Sequence, residues 1–390
     1  MKTLLWIGDA NCDSGFAKCT HYTLEVLRRY YRVVVLGINH PGGPHKYPYD
    51  IHPCISAAGG DVLGLKRVGA IMRLERPDII VLQNDPWNVP AYMKAIGDVK
   101  DVPRPIVVGA IAIDGKRALG TALNGLDHAI FWTKFAHMEA LKGGYKKGAN
   151  VIGLGVDRDI YNAGDHTQRE YRAALGLPDE CANAFIVGNV NRNQPRKRLD
   201  LTIQYFAEWI HSREIKDAYL FLHVAPTGDM GFNVEAIAEE CGLINPLRLI
   251  LSQPNVFRGT SEKGMAQIFR SFDVQLHTGM GEGWGLPTLE AMACGVTTIA
   301  SDWAALGEWA RPAALLAPGE ECYSLGPITV RGAVPRKDAV LNFLDQMYRS
   351  PEARAQMRAK SLDLAADAQF TWENIGTAWA DALQAQLKEY

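Results

Sequence analysis

Two glutamates with seven residues between them bracket a glycine-rich stretch, GEGWGLPTLEAMACG at 281–295. Apolar runs on both sides predict buried strands, and Pro287 favours the first turn of a helix. Glu282 would then lie in a loop and Glu290 on the helix, at the carboxyl end of a parallel sheet, where such folds bind ligands. Carboxylates in a pocket of this kind accept hydrogen bonds from the hydroxyl groups of a sugar or a ribose. The alternative is an ordinary loop-to-helix turn with two solvated glutamates.

The main chain of the same stretch is suited to a phosphate group. Gly283 and Gly285 lack a Cβ, so the backbone can pass close to a ligand there. The main-chain N–H groups of Thr288 and Leu289 are expected to be free at the helix N-terminus, where the helix dipole favours an anion. The stretch therefore predicts a phosphate site with a hydroxyl-bearing group beside it.

A basic cluster follows an apolar run at 185–190 that predicts another strand. Its members are Arg192, Arg196, Lys197 and Arg198, and they precede a predicted helix. Positive charge in this place would neutralise a diphosphate as it leaves. Arg196 and Arg198 are interpreted as additional surface charge. The alternative for the whole cluster is a solvated or nucleic-acid-facing patch.

The composition is that of a soluble protein with two domains. The length of 390 residues exceeds what one core usually holds, and 47% of the residues are hydrophobic and 22% charged. The net charge of −2 argues against a strongly basic, DNA-coating protein. No apolar run is long enough to span a membrane, and the first residues turn polar too soon for a signal peptide. Seven widely spaced cysteines without a Cys-x-x-Cys pair indicate reduced thiols in a cytoplasm.

The glutamate pair in its glycine-proline context resembles the donor-binding signature of retaining glycosyltransferases with the GT-B fold, of the family-four type. The matching positions are Glu282, Gly283, Gly285, Leu286, Pro287, Glu290, Ala291, Met292, Ala293 and Gly295. The resemblance implies an α/β fold with two Rossmann-like, doubly wound domains facing across a cleft. It implies an acceptor-binding domain at 1–160, a nucleotide-sugar-binding domain at 183–365, and a C-terminal helix at 366–390 that crosses back to the first domain.

The resemblance also implies residue roles. Arg192 and Lys197 would hold the donor phosphates and stabilise the leaving diphosphate, Glu282 would hold hydroxyls of the donor sugar, and Glu290 those of the ribose. The full donor-binding set is Gly15, Arg192, Lys197, Phe257, Gly283, Gly285, Leu286, Thr288, Leu289 and Glu290. For Gly15 a tight turn between strand and helix, which Ser14 would cap, is an equal alternative. For Phe257 the alternative is an apolar core contact.

One position departs from the family pattern. Many members have a histidine near the end of the strand that precedes residue 114, and this chain has Asp114 and Gly115 instead. Asp114 is placed with Arg192, Lys197 and Glu282 in the catalytic set, to bind the donor sugar or to help take the acceptor proton. A turn-forming Asp-Gly pair is the alternative. No Asp-x-Asp metal motif stands at a strand end, so no metal is expected.

The predicted reaction is transfer of a sugar from a UDP- or GDP-sugar to an acceptor hydroxyl, with retention of the anomeric configuration. The sequence also resembles family members found in bacteriophages, which makes a hydroxymethylated base in double-stranded DNA one acceptor hypothesis. A cell-surface polysaccharide or a lipid-linked glycan is the alternative acceptor, although no stable membrane insertion is expected. An epimerase acting on sugar nucleotides is the alternative activity, because the same fold hosts both.

Overall fold

The computed structural model describes residues 1–12, 14–54, 60–224, 231–252, 259–324 and 329–389. In these ranges the strands are β1 (Thr3–Asp9), β2 (Arg32–Ile38), β3 (Asp50–Pro53), β4 (Ile79–Gln83), β5 (Ile106–Ile111), β6 (His128–Phe131), β7 (Gly148–Val151), β8 (Phe185–Val190), β9 (Ala218–His223), β10 (Leu249–Ser252), β11 (Val274–Leu276), β12 (Thr297–Ser301), β13 (Ala314–Ala317), β14 (Gly319–Tyr323) and β15 (Arg331–Pro335). The helices are α1 (Gly15–Leu27), α2 (Val68–Glu75), α3 (Val89–Gly97), α4 (Lys134–Lys142), α5 (Gln168–Ala174), α6 (Leu199–Ser212), α7 (Val234–Glu240), α8 (Glu262–Arg270), α9 (Leu286–Ala293), α10 (Ala304–Trp309), α11 (Lys337–Arg349), α12 (Pro351–Ala365) and α13 (Trp372–Glu389).

The chain forms two compact units. The first unit comprises residues 1–113, 117–155 and 368–390, and the second comprises residues 114–116 and 156–367. Each unit is built on a parallel sheet and has its own apolar core. The predicted fold class, α/β with two Rossmann-like domains, is therefore confirmed.

The first unit contains a sheet with strand order β3-β2-β1-β4-β5-β6-β7, and every pairing is parallel. The central strands are almost completely buried, β1 among them. Strands covered on both faces have continuous apolar runs rather than alternating patterns, and for this reason they were recognisable in the sequence.

Helix α13 belongs to the first unit, although it lies at the far end of the sequence. Trp379 of α13 packs on Trp6 of β1 with ring centroids 5.3 Å apart. Trp372 stacks on Tyr22 of α1 at 5.0 Å. These contacts bury the apolar face of α13 against α1 and β1.

The second unit contains a sheet with strand order β10-β9-β8-β11-β12-β13, again parallel throughout. A hairpin of β14 and β15 lies outside this sheet. The strand order reverses between β8 and β11, which are neighbours in the sheet. In open α/β sheets the crevice outside the carboxyl ends of two such strands is the usual ligand site.

The segment 162–182, interpreted from the sequence as a polar linker region, is anchored in the second unit together with the residues just before it. Arg270 donates to the main-chain oxygens of Ile160 and Asn162, both at 2.9 Å. Arg172 of α5 is buried and forms an ion pair with Asp273 at 2.7 Å. These contacts explain why the structural boundary lies at residues 155 and 156.

Candidate functional site

The loop after β8 is held against the loop after β11 by a series of buried hydrogen bonds. The amide of Asn189 donates to the hydroxyl of Thr202 at 2.8 Å. The hydroxyl oxygens of Thr202 and Thr278 are 2.6 Å apart, and Thr278 donates to the main-chain oxygen of Arg198 at 2.8 Å. A buried polar network with all partners present is rigid, so this series fixes both loops at the switch between β8 and β11.

Glu282 is the centre of a buried charged cluster at this switch. The ammonium group of Lys197 donates to Oε1 of Glu282, and Nε2 of His277 donates to the same oxygen at 2.8 Å. Lys197 is 8% exposed, Glu282 7% and His277 3%. Lys197 and His277 therefore hold the carboxylate in one orientation from two different loops.

The charges in this cluster stabilise one another. Burial alone would raise the pKa of Glu282, but the charge of Lys197, the hydrogen bond from His277 and the charge of Arg196 outweigh it and hold that pKa well below 4.5. Burial lowers the pKa of Lys197, and the Glu282 carboxylate opposes this shift. Glu282 is thus ionised at neutral pH and accepts hydrogen bonds only.

Arg196 joins the cluster to Asp114. Its Nη1 atom lies 3.3 Å from Oδ2 of Asp114 and 3.9 Å from Oε2 of Glu282. The same nitrogen donates to the main-chain oxygen of Gly281 at 3.3 Å. Arg196, interpreted from the sequence as additional surface charge, keeps 39% of its side chain exposed and contacts the cluster as well. Arg198 pairs with Asp200 at 2.8 Å.

The segment 114–116 is part of the second unit, which brings Asp114 to the cluster. Lys116 pairs with Arg331 of β15 through main-chain hydrogen bonds. A Cβ atom on Gly281 would overlap the main-chain oxygen of Asp114. A glycine is therefore required at 281 for this close approach of the two backbones.

Helix α9 begins at Leu286, one residue before Pro287. This shift changes which N–H groups at its start are available to a phosphate. Gly285 has a φ of +90° and precedes the helix, which starts at Leu286. The N–H groups of Thr288 and Leu289 both donate to the main-chain oxygen of Gly285, at 2.9 and 3.3 Å. The prediction that these two groups are free was therefore wrong. In the first turn Pro287 has no N–H, so the N–H of Leu286 is the donor that the helix itself does not use.

The other residues predicted on this loop and helix lie close to the cluster in sequence and differ in exposure. Glu290 is buried in the second turn of α9, with 4% exposure, and Gly283 is half-buried in the loop. Arg192 is exposed in the loop after β8. The guanidinium group of Arg192 is therefore still hydrated in the absence of a ligand.

Two predicted residues lie away from this cluster in sequence. Gly15 is the first residue of α1 in the first unit, after β1. The predicted cap is confirmed, since Ser14 accepts a hydrogen bond from the N–H of Ala17 at 3.0 Å. Phe257, the predicted contact to the nucleotide base, lies outside the described residues.

His277 and Arg196 are the two members of the cluster that sequence reasoning did not assign. His277 follows β11 directly, and a polar side chain at the carboxyl end of a buried strand indicates a ligand site. That signal was present in the sequence. No comparable signal separated Arg196 from Arg198, because only the fold of the 195–198 turn decides which guanidinium group faces Glu282.

The described residues contain no group of three or more His, Cys, Asp or Glu side chains arranged to hold a metal ion. Metal independence therefore stays a prediction, to be decided by experiment. None of the helices in the described ranges is both long enough and apolar enough to cross a membrane.

Comparison with protein families finds two matches. Residues 168–314 match the family described as Glycosyl transferases group 1, and residues 254–381 match one described as Glycosyl transferase-like. Both matches contain the loop and helix at 281–295. The match to the group 1 family model includes every residue of the charged cluster apart from Asp114.

Curated relatives and solved structures show the same kind of likeness. The D-inositol 3-phosphate glycosyltransferase of Mycobacterium tuberculosis is 26% identical over 245 residues, which are 62% of this chain and 44% of that protein. The chain thus spans less than half the length of the curated relatives that it matches. Sucrose-phosphate synthase from Thermosynechococcus elongatus superposes with a TM-score of 0.78 at 15% identity, over 100% of both chains.

A second solved structure is the trehalose-6-phosphate protein of Escherichia coli with UDP-2-fluoro glucose bound. It superposes with a TM-score of 0.71 at 14% identity, over 98% of this chain and 99% of that one. These likenesses confirm that the fold is the GT-B fold.

Proposed function

We propose that this protein is a glycosyltransferase whose second unit binds a nucleoside-diphosphate sugar, and that it transfers the sugar to an acceptor hydroxyl with retention of the anomeric configuration. The observation that supports this best is the buried cluster of Lys197, Glu282 and His277. It lies at the strand-order switch of the second unit, within residues that match glycosyltransferase group 1. Cationic and carboxylate groups stand side by side there, as a donor with both phosphates and hydroxyls requires.

Lys197 is assigned to the diphosphate. An ammonium group has three N–H donors, and Glu282 accepts from one of them. The other two donors serve phosphate oxygens, together with the guanidinium groups of Arg192 and Arg196. As the bond to the sugar breaks, negative charge grows on the diphosphate, and fixed cations in a buried site stabilise that charge most. The N–H of Leu286 is a further donor at the start of α9.

Glu282 and Glu290 are assigned to hydroxyl groups. Oε1 of Glu282 is occupied by Lys197 and His277, so Oε2 is the oxygen that accepts from the donor sugar. Glu290 accepts from the ribose. Asp114, which lies 3.3 Å from Arg196, accepts from the donor sugar or takes the acceptor proton. Gly15 and Phe257 complete the proposed donor contacts, and the first unit is proposed to bind the acceptor.

The donor is a UDP- or GDP-sugar, and the cationic side chains are proposed to replace a metal. The acceptor hydroxyl belongs to a hydroxymethylated base in double-stranded phage DNA, or to a polysaccharide or lipid-linked glycan. A DNA acceptor predicts binding that weakens steeply with added salt. None of the seven cysteines, all of which lie in the described residues, forms a disulfide bond, and a cytoplasmic location is proposed on that basis.

The test is a nucleotide-release assay of the full chain with UDP-, GDP-, ADP- and dTDP-sugars in the presence of EDTA, with and without hydroxymethylated duplex DNA. Lys197→Met should lower kcat/KM by roughly 100-fold or more, as loss of one fixed donor to a developing charge does. Lys216→Met removes the same charge from an exposed position and should behave as wild type.

Each outcome of this assay decides one part of the proposal. Stimulation by DNA identifies the acceptor, and release that ignores DNA points to a glycan. An altered sugar without net transfer would identify an epimerase instead. The product's anomeric configuration, read by NMR, tests retention. If no nucleotide binds, or if Lys197→Met retains full activity, the proposed function is wrong.

A further inference from the structure

A cavity lies in the second unit at the end of its sheet opposite to the charged cluster around Glu282. Its volume is about 300 Å³. Asp273, which precedes β11, and Thr297, the first residue of β12, both line it. Because β11 and β12 run parallel, the cavity opens at their amino-terminal ends, and the charged cluster around Glu282 stands beyond their carboxyl ends. The two sites are therefore separate.

Three arginines line this cavity, one from α8 and two from α12: Arg270, Arg354 and Arg358. Their hydrogen-bond acceptors in the described part of the chain are neutral oxygens. Arg270 donates to the side-chain oxygen of Asn162 at 2.7 Å as well as to main-chain oxygens. Arg354 donates to the main-chain oxygen of Tyr348 at 2.9 Å. These bonds orient the guanidinium groups and do not neutralise their positive charges.

The carboxylate that lines the cavity does not balance these charges. Asp273 is bound by Arg172 at 2.7 Å and by the N–H of Ile186 at 2.8 Å. Its single charge is shared between Arg172, a residue outside the cavity lining, and Arg354, so it cannot balance all three arginines of the wall. The cavity wall keeps an excess of positive charge, which favours an anionic occupant.

Arg358 is held in position by a glycine. It donates to the main-chain oxygen of Gly295 at 3.1 Å. Gly295 has a φ of +79°, and a Cβ atom there would lie 2.7 Å from Nη1 of Arg358. Any other residue would therefore push the guanidinium group out of the cavity wall. The turn after α9 and the arginine fit each other closely.

We propose that this cavity binds the phosphate group of a small soluble molecule. Planar guanidinium groups donate paired hydrogen bonds that match phosphate oxygens. The volume is at the lower end of the range for small-molecule sites and exceeds what a bare phosphate ion needs. Gln168 and Thr297 also line the wall. The amide group of Gln168 donates to the main-chain oxygen of Phe272 at 2.7 Å, which leaves its side-chain oxygen and the hydroxyl of Thr297 to suit the hydroxyls of a phosphate monoester.

The test is titration calorimetry of the full chain with inorganic phosphate, with glucose 6-phosphate and with citrate, at low salt. Ala355→Glu places a carboxylate on the exposed wall of the cavity without removing any contact, and it should weaken phosphate binding at least tenfold. Ala359→Glu adds the same charge to α12 at an exposed position outside the lining and should change binding less than twofold. Arg358→Gln should weaken binding as Ala355→Glu does.

Two further variants locate the site. Lys197→Met should leave intact the component of phosphate binding that Ala355→Glu removes, because Lys197 belongs to the other end of the sheet. Arg349→Gln removes an exposed positive charge paired with Asp345 and should also leave it unchanged. Tighter binding of glucose 6-phosphate than of inorganic phosphate means that the cavity recognises an ester, and equal binding means that it recognises the phosphate group alone.

Three results would overturn the proposal: no saturable binding of either phosphate compound, citrate binding as tightly as phosphate, or binding that Lys197→Met abolishes and Ala355→Glu leaves intact. The measurement does not depend on sugar transfer, so its outcome is independent of the proposed function. Circular dichroism and thermal melts establish that each variant is folded.

Discussion

Burial of the Glu282 carboxylate carries an electrostatic penalty, and its neighbours offset it. The carboxylate is buried and shares one oxygen between Lys197 and His277. Removing one member of a buried ion pair leaves the other charge unpaired, which typically costs about 3–5 kcal/mol of stability. The cluster is therefore structural as well as chemical, and its two roles must be separated by experiment.

We expect Glu282→Gln to lower the free energy of unfolding by about 3–5 kcal/mol at neutral pH, because Lys197 is then buried without a counter-charge. The double variant Lys197→Met/Glu282→Gln should recover most of this loss. Denaturant unfolding with intrinsic fluorescence measures both. Equal loss in the single and double variants would mean that the two charges do not interact.

The same comparison has a defined pH dependence. The pKa of Glu282 is held well below 4.5 in the folded protein. The stability that its charge gives the folded state is therefore complete at pH values above the ordinary pKa of a glutamate. It is lost as the pH falls from there towards the folded pKa. The difference in unfolding free energy between wild type and Glu282→Gln should therefore shrink below about pH 4.5. A difference that stays constant to lower pH would contradict this assignment.

The individual residues of the site were largely predictable, and their contacts were not. Glu282 and Lys197 stood out because of the motifs around them. They are nevertheless 85 positions apart, and no pattern in the sequence near either residue predicts that they are in contact. His277 looked like the end of a strand, because an imidazole in a packed sheet has the same pattern. Only the parallel order of β8 and β11 brings these side chains together.

At the scale of elements, the position of α9 depends on the left-handed conformation of Gly285. The sequence predicted a helix near Pro287, but a shift of one residue changes which N–H groups the helix uses itself. Backbone dihedral angles of this kind depend on tertiary contacts, and Leu306 packs against Gly285 within 2.8 Å of where a Cβ would lie. The helix was therefore predictable and its free donors were not.

The loop before α9 gives a direct test of this packing. In Gly281→Ala the new Cβ would overlap the main-chain oxygen of Asp114, and backbone cannot move aside as a flexible side chain can. We expect a loss of roughly 1–3 kcal/mol, as for overpacking in a core, measured by denaturant unfolding. Gly97→Ala is the control, because no atom lies within 4 Å of its Cβ position. An equal effect of both substitutions would refute the close approach of residues 114 and 281.

At the scale of the whole molecule, the first unit is assembled from segments far apart in the sequence. Its sheet was predictable from apolar runs. The assignment of residues 114–116 to the second unit could not be predicted, because a segment of three residues is too short to differ recognisably in composition from its neighbours. Lys116 pairs there with Glu321 at 2.5 Å and lies over the ring of Trp303 at 4.6 Å.

Helix α13 supplies a prediction at this scale. Trp379 is 2% exposed and packs on Trp6. Trp379→Ala should lower the free energy of unfolding of the first unit by about 3–5 kcal/mol, the usual effect of deleting a buried tryptophan. Trp87→Ala, at a position that is 40% exposed, should have a much smaller effect. Hydrogen exchange across β1 and α1 localises the loss, and similar protection in both variants would show that α13 contributes little.

The place of α13 also determines the order in which the protein can mature during translation. The whole second unit, 156–367 together with 114–116, is synthesised before Trp379. Until then Trp6 and the surface of α1 around Val26, against which Gly376 packs without room for a side chain, stay exposed on the nascent chain. Most of the first unit is therefore translated first, but this unit is completed last. Its apolar surface, which α13 later covers, is where we expect a ribosome-associated chaperone to bind.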